Sequence, residues 1–260
     1  MRANRGMSVF EIWEVTWTPI IWRRGSQPTT MGKRRNEDSD ESGDEEVKEL
    51  VDVDFEFFDP AQIDYLAIKR LLNQLFCWDS PTFQVEQLTE LILSQPLLGS
   101  TVKTDGIESD PYALLSVLNI NVHKDHPSIK AIVSYLLEKV SPNSAASSTL
   151  GALLSPQALA SPNGHTGMII SERLINMPPQ IMPPMYKMLG DEIQWAVEEN
   201  EPYNFENFIV LSRCFRFSDE EESASGAIQP TKKQKRKGGA LRSYHAEDEC
   251  IEEVSGNQSE

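Results

Sequence analysis

The chain has 260 residues, room for one substantial α/β domain or two small ones, and its 39% apolar content leaves part of it outside any core. Its formal net charge is −16, from 40 acidic against 24 basic side chains, a field that repels nucleic acid and attracts basic proteins. No stretch reaches the roughly 18 consecutive apolar residues of a membrane-span candidate, and direct nucleic-acid or membrane binding is not expected.

Residues 1–30 hold three of the five tryptophans, Trp13, Trp17 and Trp22, in a segment without a clean period. They are read as a disordered extension ahead of a translation start at Met31. Residues 31–49 form an acidic, disordered tail: from Asn36 to Asp59 there are twelve carboxylates and one lysine. The domain is expected over residues 50–250. It opens on VDVDFEFF, where Val51, Val53, Phe55 and Phe57 alternate with acids as in a strand with one wet face. Asp59 and Pro60 look like the N-cap and first position of a helix whose apolar set is Ile63, Leu66, Leu71 and Leu75, flanked by Ile68 and Leu72. Ser80-Pro81 opens a second helix, with Phe83, Leu88, Leu91 and Ile92 inward, ending at Pro96.

LLGSTVKT and PYALLSVLNINV, separated by the polar DGIESD, predict a β-hairpin, and Asp125 to Val140 a helix with Pro127 near its start. Residues 141–166, small and rich in Pro, Ser and Ala, read as a flexible loop. GMIISERLINMP is apolar and of undecided type. A helix with Met185, Met188, Leu189, Ile193, Trp195 and Ala196 on its apolar side follows, then the buried strand FENFIVLSRCFRF. Residues 219–239 form a charged flexible loop, and 251–260 a polar tail. The order of elements predicts an α/β fold: a single mixed sheet with helices on its faces.

No catalytic constellation stands out. Glycine-loop phosphate motifs, a G-x-S-x-G elbow and H-E-x-x-H are all missing, so no catalytic, cofactor-binding or metal-binding residue is assigned, and no cofactor is expected. His123 and His126 could in principle share a metal, but no Cys or third His is nearby, which favours a solvated or capping role. His245 with Glu247, Asp248 and Glu249 reads either as a carboxylate–histidine cluster or as a wet acidic turn. Cys77, Cys214 and Cys250 lie far apart without a C-x-x-C pair, a pattern that fits a reducing compartment. Two charged signals remain. The acidic stretch Glu37, Asp38, Asp40, Glu41, Asp44, Glu45 and Glu46 is either a binding segment for a basic partner or a solubilising tail. Lys232, Lys233, Lys235, Arg236 and Lys237 suit the acidic grooves of a nuclear import receptor, or else pair with Asp219 to Glu222.

Several blocks resemble the BCCIP family of eukaryotic nuclear proteins. They are the acidic tail running into VDVDFEFFDP, the D-x-x-x-I-K-x-L-L-x-Q-L-F of Asp64 to Phe76, GSTVKTDGIESDPYALLSVLNI, and above all GMIISERLINMPPQIMPPMYKML. In the last, Ser171, Glu172, Arg173, Asn176, Pro178 and Pro179 form the motif; its Glu172–Arg173 pair reads as a structural pin, in which charged hydrogen bonds hold a chain turn, or else as a direct partner contact. YHAEDE, Tyr244 to Glu249, resembles a further family block, after which the family continues in strands where this chain turns polar, the expected mark of a shortened C-terminus.

The resemblance implies a core like that of GNAT acetyltransferases but without a coenzyme A site, and no [QR]-x-x-G-x-[GA] occurs here. It also implies a nuclear protein, shuttling with the cytoplasm and not an enzyme. Such a protein would act as chaperone or escort for a basic large-subunit ribosomal protein and in nuclear export of cargo such as a lipid kinase. The alternative is a scaffold in DNA repair and cell-cycle control, and a working acetyltransferase-like enzyme is disfavoured.

Overall fold

Seven strands build one sheet in the order β1-β6-β5-β4-β3-β2, with β7 added to β6. The computed structural model describes residues 9–15, 54–95, 98–140, 145–216 and 241–256. The chain divides into two units, Met1–Trp17 with Phe55–Glu260 and, separately, Thr18–Asp54, and the elements described below belong to the first.

The strands are β1 (Val9–Val15), β2 (Glu56–Phe58), β3 (Ser100–Lys103), β4 (Ala113–Asn119), β5 (His165–Arg173), β6 (Phe205–Arg216) and β7 (Leu241–Ser243). Among the described strands only β5 and β6 run parallel, and the crossover between them is the helix α6 (Met182–Glu198). The fold is therefore α/β with a mixed sheet. Helices α1 (Tyr65–Phe76), α2 (Val85–Ser94), α3 (Pro127–Lys139) and α4 (Ala145–Leu153) cover one face, α5 (Pro156–Leu159) follows α4, and α7 (Ala246–Gly256) closes the described chain.

Alternation along the central strands feeds two cores. Leu114, Leu118, Met168, Ile170, Ile209 and Leu211 meet the leucines of α1, α2 and α3. Their neighbours Ala113, Leu115, Val117, Ile169, Phe208 and Val210 meet Met182, Met185 and Leu189 of α6. A strand buried on both faces reads as a continuous apolar run, which is why GMIIS had no obvious period.

The hairpin, α3 and the buried strand β6 stand where the pattern puts them. Several expectations are corrected. The opening strand is only Glu56–Phe58, with Val51 and Val53 outside the described residues. Asp59 and Pro60 do not start α1: a 3-10 turn over Gln62–Asp64 comes first, and Asp64 accepts the Ala61 N–H at 3.1 Å. The later start turns Ile63 and Leu66 outward, 52% and 69% exposed, while Ile68, Leu71, Leu72 and Leu75 are buried. Likewise α2 begins at Val85, because Gln84 takes φ +50° and separates it from the 3-10 stretch Cys77–Phe83 that holds Pro81.

The expected loop 141–166 contains α4, α5 and the start of β5; Leu150 and Leu154 are buried in the helical core, and the Ser155 hydroxyl caps α5 by accepting the Ala158 N–H at 3.1 Å. Disorder over residues 1–30 does not hold for Val9–Val15, which pairs antiparallel along β6, and the polar tail is helical as far as Gly256. Trp195, expected on the apolar side of α6, is 64% exposed. The acidic tail 31–49 and the loop 219–239 lie outside the described residues.

Two local devices hold the β3 side of the sheet. Lys103 is fully buried, its Nζ 2.6 Å from Asp64 Oδ1 and 2.6 Å from the Ile107 carbonyl, which ties α1 to the hairpin. Gly99 enters β3 at φ +108°, where a Cβ would stand 2.5 Å from the Leu115 carbonyl oxygen, and its N–H donates to Glu192 of α6 at 2.7 Å.

Candidate functional site

Cys214 of β6 pairs with Val9 of β1 and with Ser243 of β7, so β1 and β7 must lie on opposite edges of β6. Ile209 pairs with Glu14 of β1 and Met168 of β5, which puts β5 and β7 on the same edge. Along that edge the parallel ladder with β5 ends at Leu211, and the antiparallel ladder with β7 begins at Cys214. Between them lies a divergence at the carboxyl ends of two parallel strands, the place where open α/β sheets commonly take ligands. Here it is filled by the protein itself.

Glu172, still paired with Leu114 of β4 but two residues past the last β5 residue that pairs with β6, is buried in that gap. Its Oε1 accepts from His245 Nε2 at 2.7 Å, Gln74 Nε2 at 2.9 Å and the Arg173 N–H at 3.0 Å, and its Oε2 stands 3.3 Å from Arg213 Nε. Gln74 of α1 also donates to the Arg173 carbonyl at 2.8 Å. The Arg213 guanidinium lies 4.3 Å from the centre of the Tyr244 ring, which stacks edge-on against Phe215.

The next residue of β5 points to the other face and makes a second set of bonds. Arg173 forks onto Glu247 of α7, Nε to Oε1 at 2.7 Å and Nη2 to Oε2 at 2.9 Å, the strong bidentate form of an ion pair. Its Nη1 donates to the Met177 carbonyl at 2.8 Å and so fastens the turn that leads from β5 to α6. Burial is the strongest single influence on Glu247 and pushes its carboxyl up, yet the hydrogen bond and charge of Arg173, a backbone hydrogen bond and His245 together outweigh it and leave the carboxyl below its ordinary value. Beside it Asp248 accepts from the Ser212 hydroxyl of β6, and burial raises this carboxyl to about 6.

The cluster is thus a lock that joins α1, β5, β6, β7 and α7. Of the motif residues, Glu172 and Arg173 lie at its centre, while Ser171 is half-buried on β5. Asn176 is exposed in the following turn; Pro178 and Pro179 start the 3-10 turn before α6, with Pro178 at φ −66°. The Tyr244 to Glu249 block is drawn in as well: His245 and Asp248 are buried, so the wet turn does not apply to them, but the carboxylate His245 meets is Glu172 rather than its sequence neighbours, and Glu249 is exposed. Gln74 stands in the family block of Asp64 to Phe76 without a role assigned to it, and Ser212 and Arg213 escaped the sequence reading. Their signal was charge and polarity inside apolar runs, as in FIVLSRCF, where a buried Arg needs a buried carboxylate.

The geometry is not that of a nucleophilic site. Ser212 faces Asp248, whereas His245 faces Glu172, so hydroxyl and imidazole have different partners. Ser212, Arg213, His245 and Glu172 are each 8% exposed or less, which leaves a substrate no approach. His123 is half-buried, its pKa lowered by burial and then by His126; no group placed to hold a metal occurs among the described residues. Cys214 is buried, Cys77 half-buried and Cys250 exposed. The acidic segment Glu37 to Glu46 and the basic cluster Lys232 to Lys237 fall outside the described residues.

The family model of BCCIP matches residues 50–251, a span that contains every residue of the lock. The chain belongs to the BCCIP family. Among curated relatives, Protein bcp1 of Schizosaccharomyces pombe is 44% identical, the match covering 86% of this chain and 81% of the relative. Protein bcp1 of Aspergillus fumigatus is 48% identical over 85% of this chain and 74% of its own length. The crystal structure of BCP1 from Saccharomyces cerevisiae superposes with a TM-score of 0.55 at 30% identity, covering 82% of this chain and 79% of that one. The BCCIP blocks quoted from the sequence therefore belong to a shared fold, and the Glu172–His245 lock is this member's way of closing the divergence between β5 and β6.

Proposed function

We propose that this BCCIP-family chain is a non-enzymatic nuclear binding protein that shields and escorts a basic protein, a large-subunit ribosomal protein being the cargo whose chemistry fits best. The observation that carries the reading is how charge is distributed. The buried cations Lys103, Arg173 and Arg213 are committed to Asp64, Glu247 and Glu172, and Lys69, Arg70 and Lys130 are paired with Glu86, Asp110 and Asp125. Exposed carboxylates such as Asp191, Glu198, Glu199, Glu201 and Glu206 have no such cation beside them among the described ion pairs, in a chain of net charge −16. A surface of that sign attracts an RNA-binding protein by its nucleic-acid face and releases it as salt rises.

The same reading takes the sheet as resembling that of GNAT acetyltransferases with the ligand crevice plugged by His245 and the start of α7. Acetyl-coenzyme A then leaves the melting temperature unchanged, since a ligand of the native state would raise it. Glu37 to Glu46 extend the acidic surface, Lys232 to Lys237 engage an import receptor, and the protein shuttles between nucleus and cytoplasm, where it takes part in export of cargo such as a lipid kinase. The test is affinity capture of the chain from nuclear extract with stepwise salt elution. A basic ribosomal protein leaving at moderate salt supports the escort; enrichment of repair or cell-cycle proteins, with no ribosomal protein, replaces it with the scaffold reading.

A further inference from the structure

The last turn of α6 breaks two rules of helix design. Helix carbonyls leave a partial negative charge at the C-terminus, which cations in the last turn normally offset. Here the last turn carries no basic residue and ends in Glu198 and Glu199, with Glu201 just beyond, and no Lys or Arg occurs anywhere between Met188 and Glu206. The second departure is Trp195, 64% exposed in that turn. On a helix surface the neighbours of a residue are those three and four positions away. For Trp195 these are Asp191, Glu192, Glu198 and Glu199: every neighbouring position is a carboxylate. Glu192 is engaged with the Gly99 N–H and Glu198 takes a hydrogen bond from Gln194, while Asp191 and Glu199 are exposed.

An indole presents a negative π face, the best aromatic surface for a cation. Placed at the negative end of a helix and ringed by carboxylates, it is a receptor in which each component has the same sign; the nearest cation of the helix, Lys187, lies two turns back beside Asp191 alone, and no ion pair to these carboxylates occurs among the described residues. Such a local conflict, costly to the free helix, is relieved by an incoming cation, and conflicts of this kind collect at functional sites. A lysine could answer the charge alone. A guanidinium answers charge and shape together, since it stacks flat on an aromatic ring while its edge forks onto a carboxylate. We infer that the C-terminal turn of α6, with Trp195 as platform and Asp191, Glu198 and Glu199 as rim, docks an arginine side chain from a basic segment of a protein partner. The inference rests on the escort reading above and assigns that reading a surface.

The test uses the full chain and two labelled probes, an oligoarginine and an oligolysine peptide of equal length, with binding followed by fluorescence anisotropy. The expected result is tighter binding of oligoarginine, weakened roughly threefold to thirtyfold by Trp195→Ala, the span of a partly to largely desolvated cation–π contact. Trp195→Phe falls between, and Glu198→Gln with Glu199→Gln weakens both peptides and flattens the salt dependence. The side chain being mostly exposed, these variants keep the wild-type melting temperature; if the alanine variant does not fold, Trp195→Gln gives the same reading. Oligoarginine binding within twofold of wild type in Trp195→Ala, or no preference for arginine over lysine, overturns the site. A wild-type chain that binds neither peptides nor a basic ribosomal protein overturns the escort reading along with it, whereas undiminished ribosomal-protein binding by Trp195→Ala overturns the site alone.

Discussion

Replacing Glu172 by alanine removes the group on which the buried lock converges. Arg213 would lose the carboxylate 3.3 Å from its Nε, and His245 and Gln74 would lose acceptors at 2.7 and 2.9 Å, with Arg213 and His245 only 8% and 6% exposed. Breaking one side of a buried ion pair costs about 3–5 kcal/mol, because the charge left behind stays desolvated. In a domain of this size each kcal/mol lowers the melting temperature by about 2–4 °C, so a fall of roughly 6–20 °C is expected. Far-UV circular dichroism measures the cost in a urea titration and the fall in a thermal scan. Hydrogen exchange should locate the damage: amides of β7 and α7 lose protection first, since the variant removes the Glu172–His245 link to β5 and leaves the Arg173–Glu247 pair to hold the segment alone. A Glu172→Ala variant within about 1 kcal/mol of wild type, well below the lower bound for a broken buried pair, would refute the lock as a stabilising device. So would uniform loss of protection with no bias toward the C-terminal segment.

Further expectations concern single groups. Lys103→Met leaves Asp64 charged and buried, costing about 3–5 kcal/mol by urea denaturation, whereas Lys103→Met with Asp64→Leu recovers most of that loss. Asp248 has its folded pKa raised by burial to about 6 against an ordinary 3.8, so its contribution to stability is fully present below pH 3.8 and is lost as pH rises through 6. The stability gap between Asp248→Asn and wild type therefore widens in favour of Asn by roughly 1–3 kcal/mol between acid and neutral pH, read from urea midpoints across that window. Gly99→Ala combines a left-handed φ with a Cβ 2.5 Å from the Leu115 carbonyl oxygen and lowers stability by at least 1–3 kcal/mol in the same assay.

Much of the architecture was legible because its signals are local. Alternating and helical periods, Pro127 at a helix start and a polar turn between two apolar runs each place an element without tertiary information. The misses share a cause. Leu66 belongs to the apolar period of α1 but stands in the first turn of a helix that begins later than its caps suggest, and Trp195 continues the period of α6 past the point where the sheet is there to cover it. The segment 145–159 looked too small and polar for structure, yet Leu150 and Leu154 suffice to pin it to the core. For the site, Glu172 and Arg173 were visible as a charged pair in an apolar segment of undecided type, and His245 with its acids as either a cluster or a wet turn. Their union was not, because the pairing of Glu172 with His245 spans 73 positions and depends on β7 replacing β5 along β6.

The escort function proposed above requires that this fold present an acidic surface to a basic partner. Titrating the purified chain with a purified basic large-subunit ribosomal protein at increasing salt tests it most directly. The account predicts tight binding at low salt, affinity falling steeply as salt rises, and competition by RNA for the bound ribosomal protein. Binding that is absent, or that is tight but indifferent to salt and RNA, would contradict it.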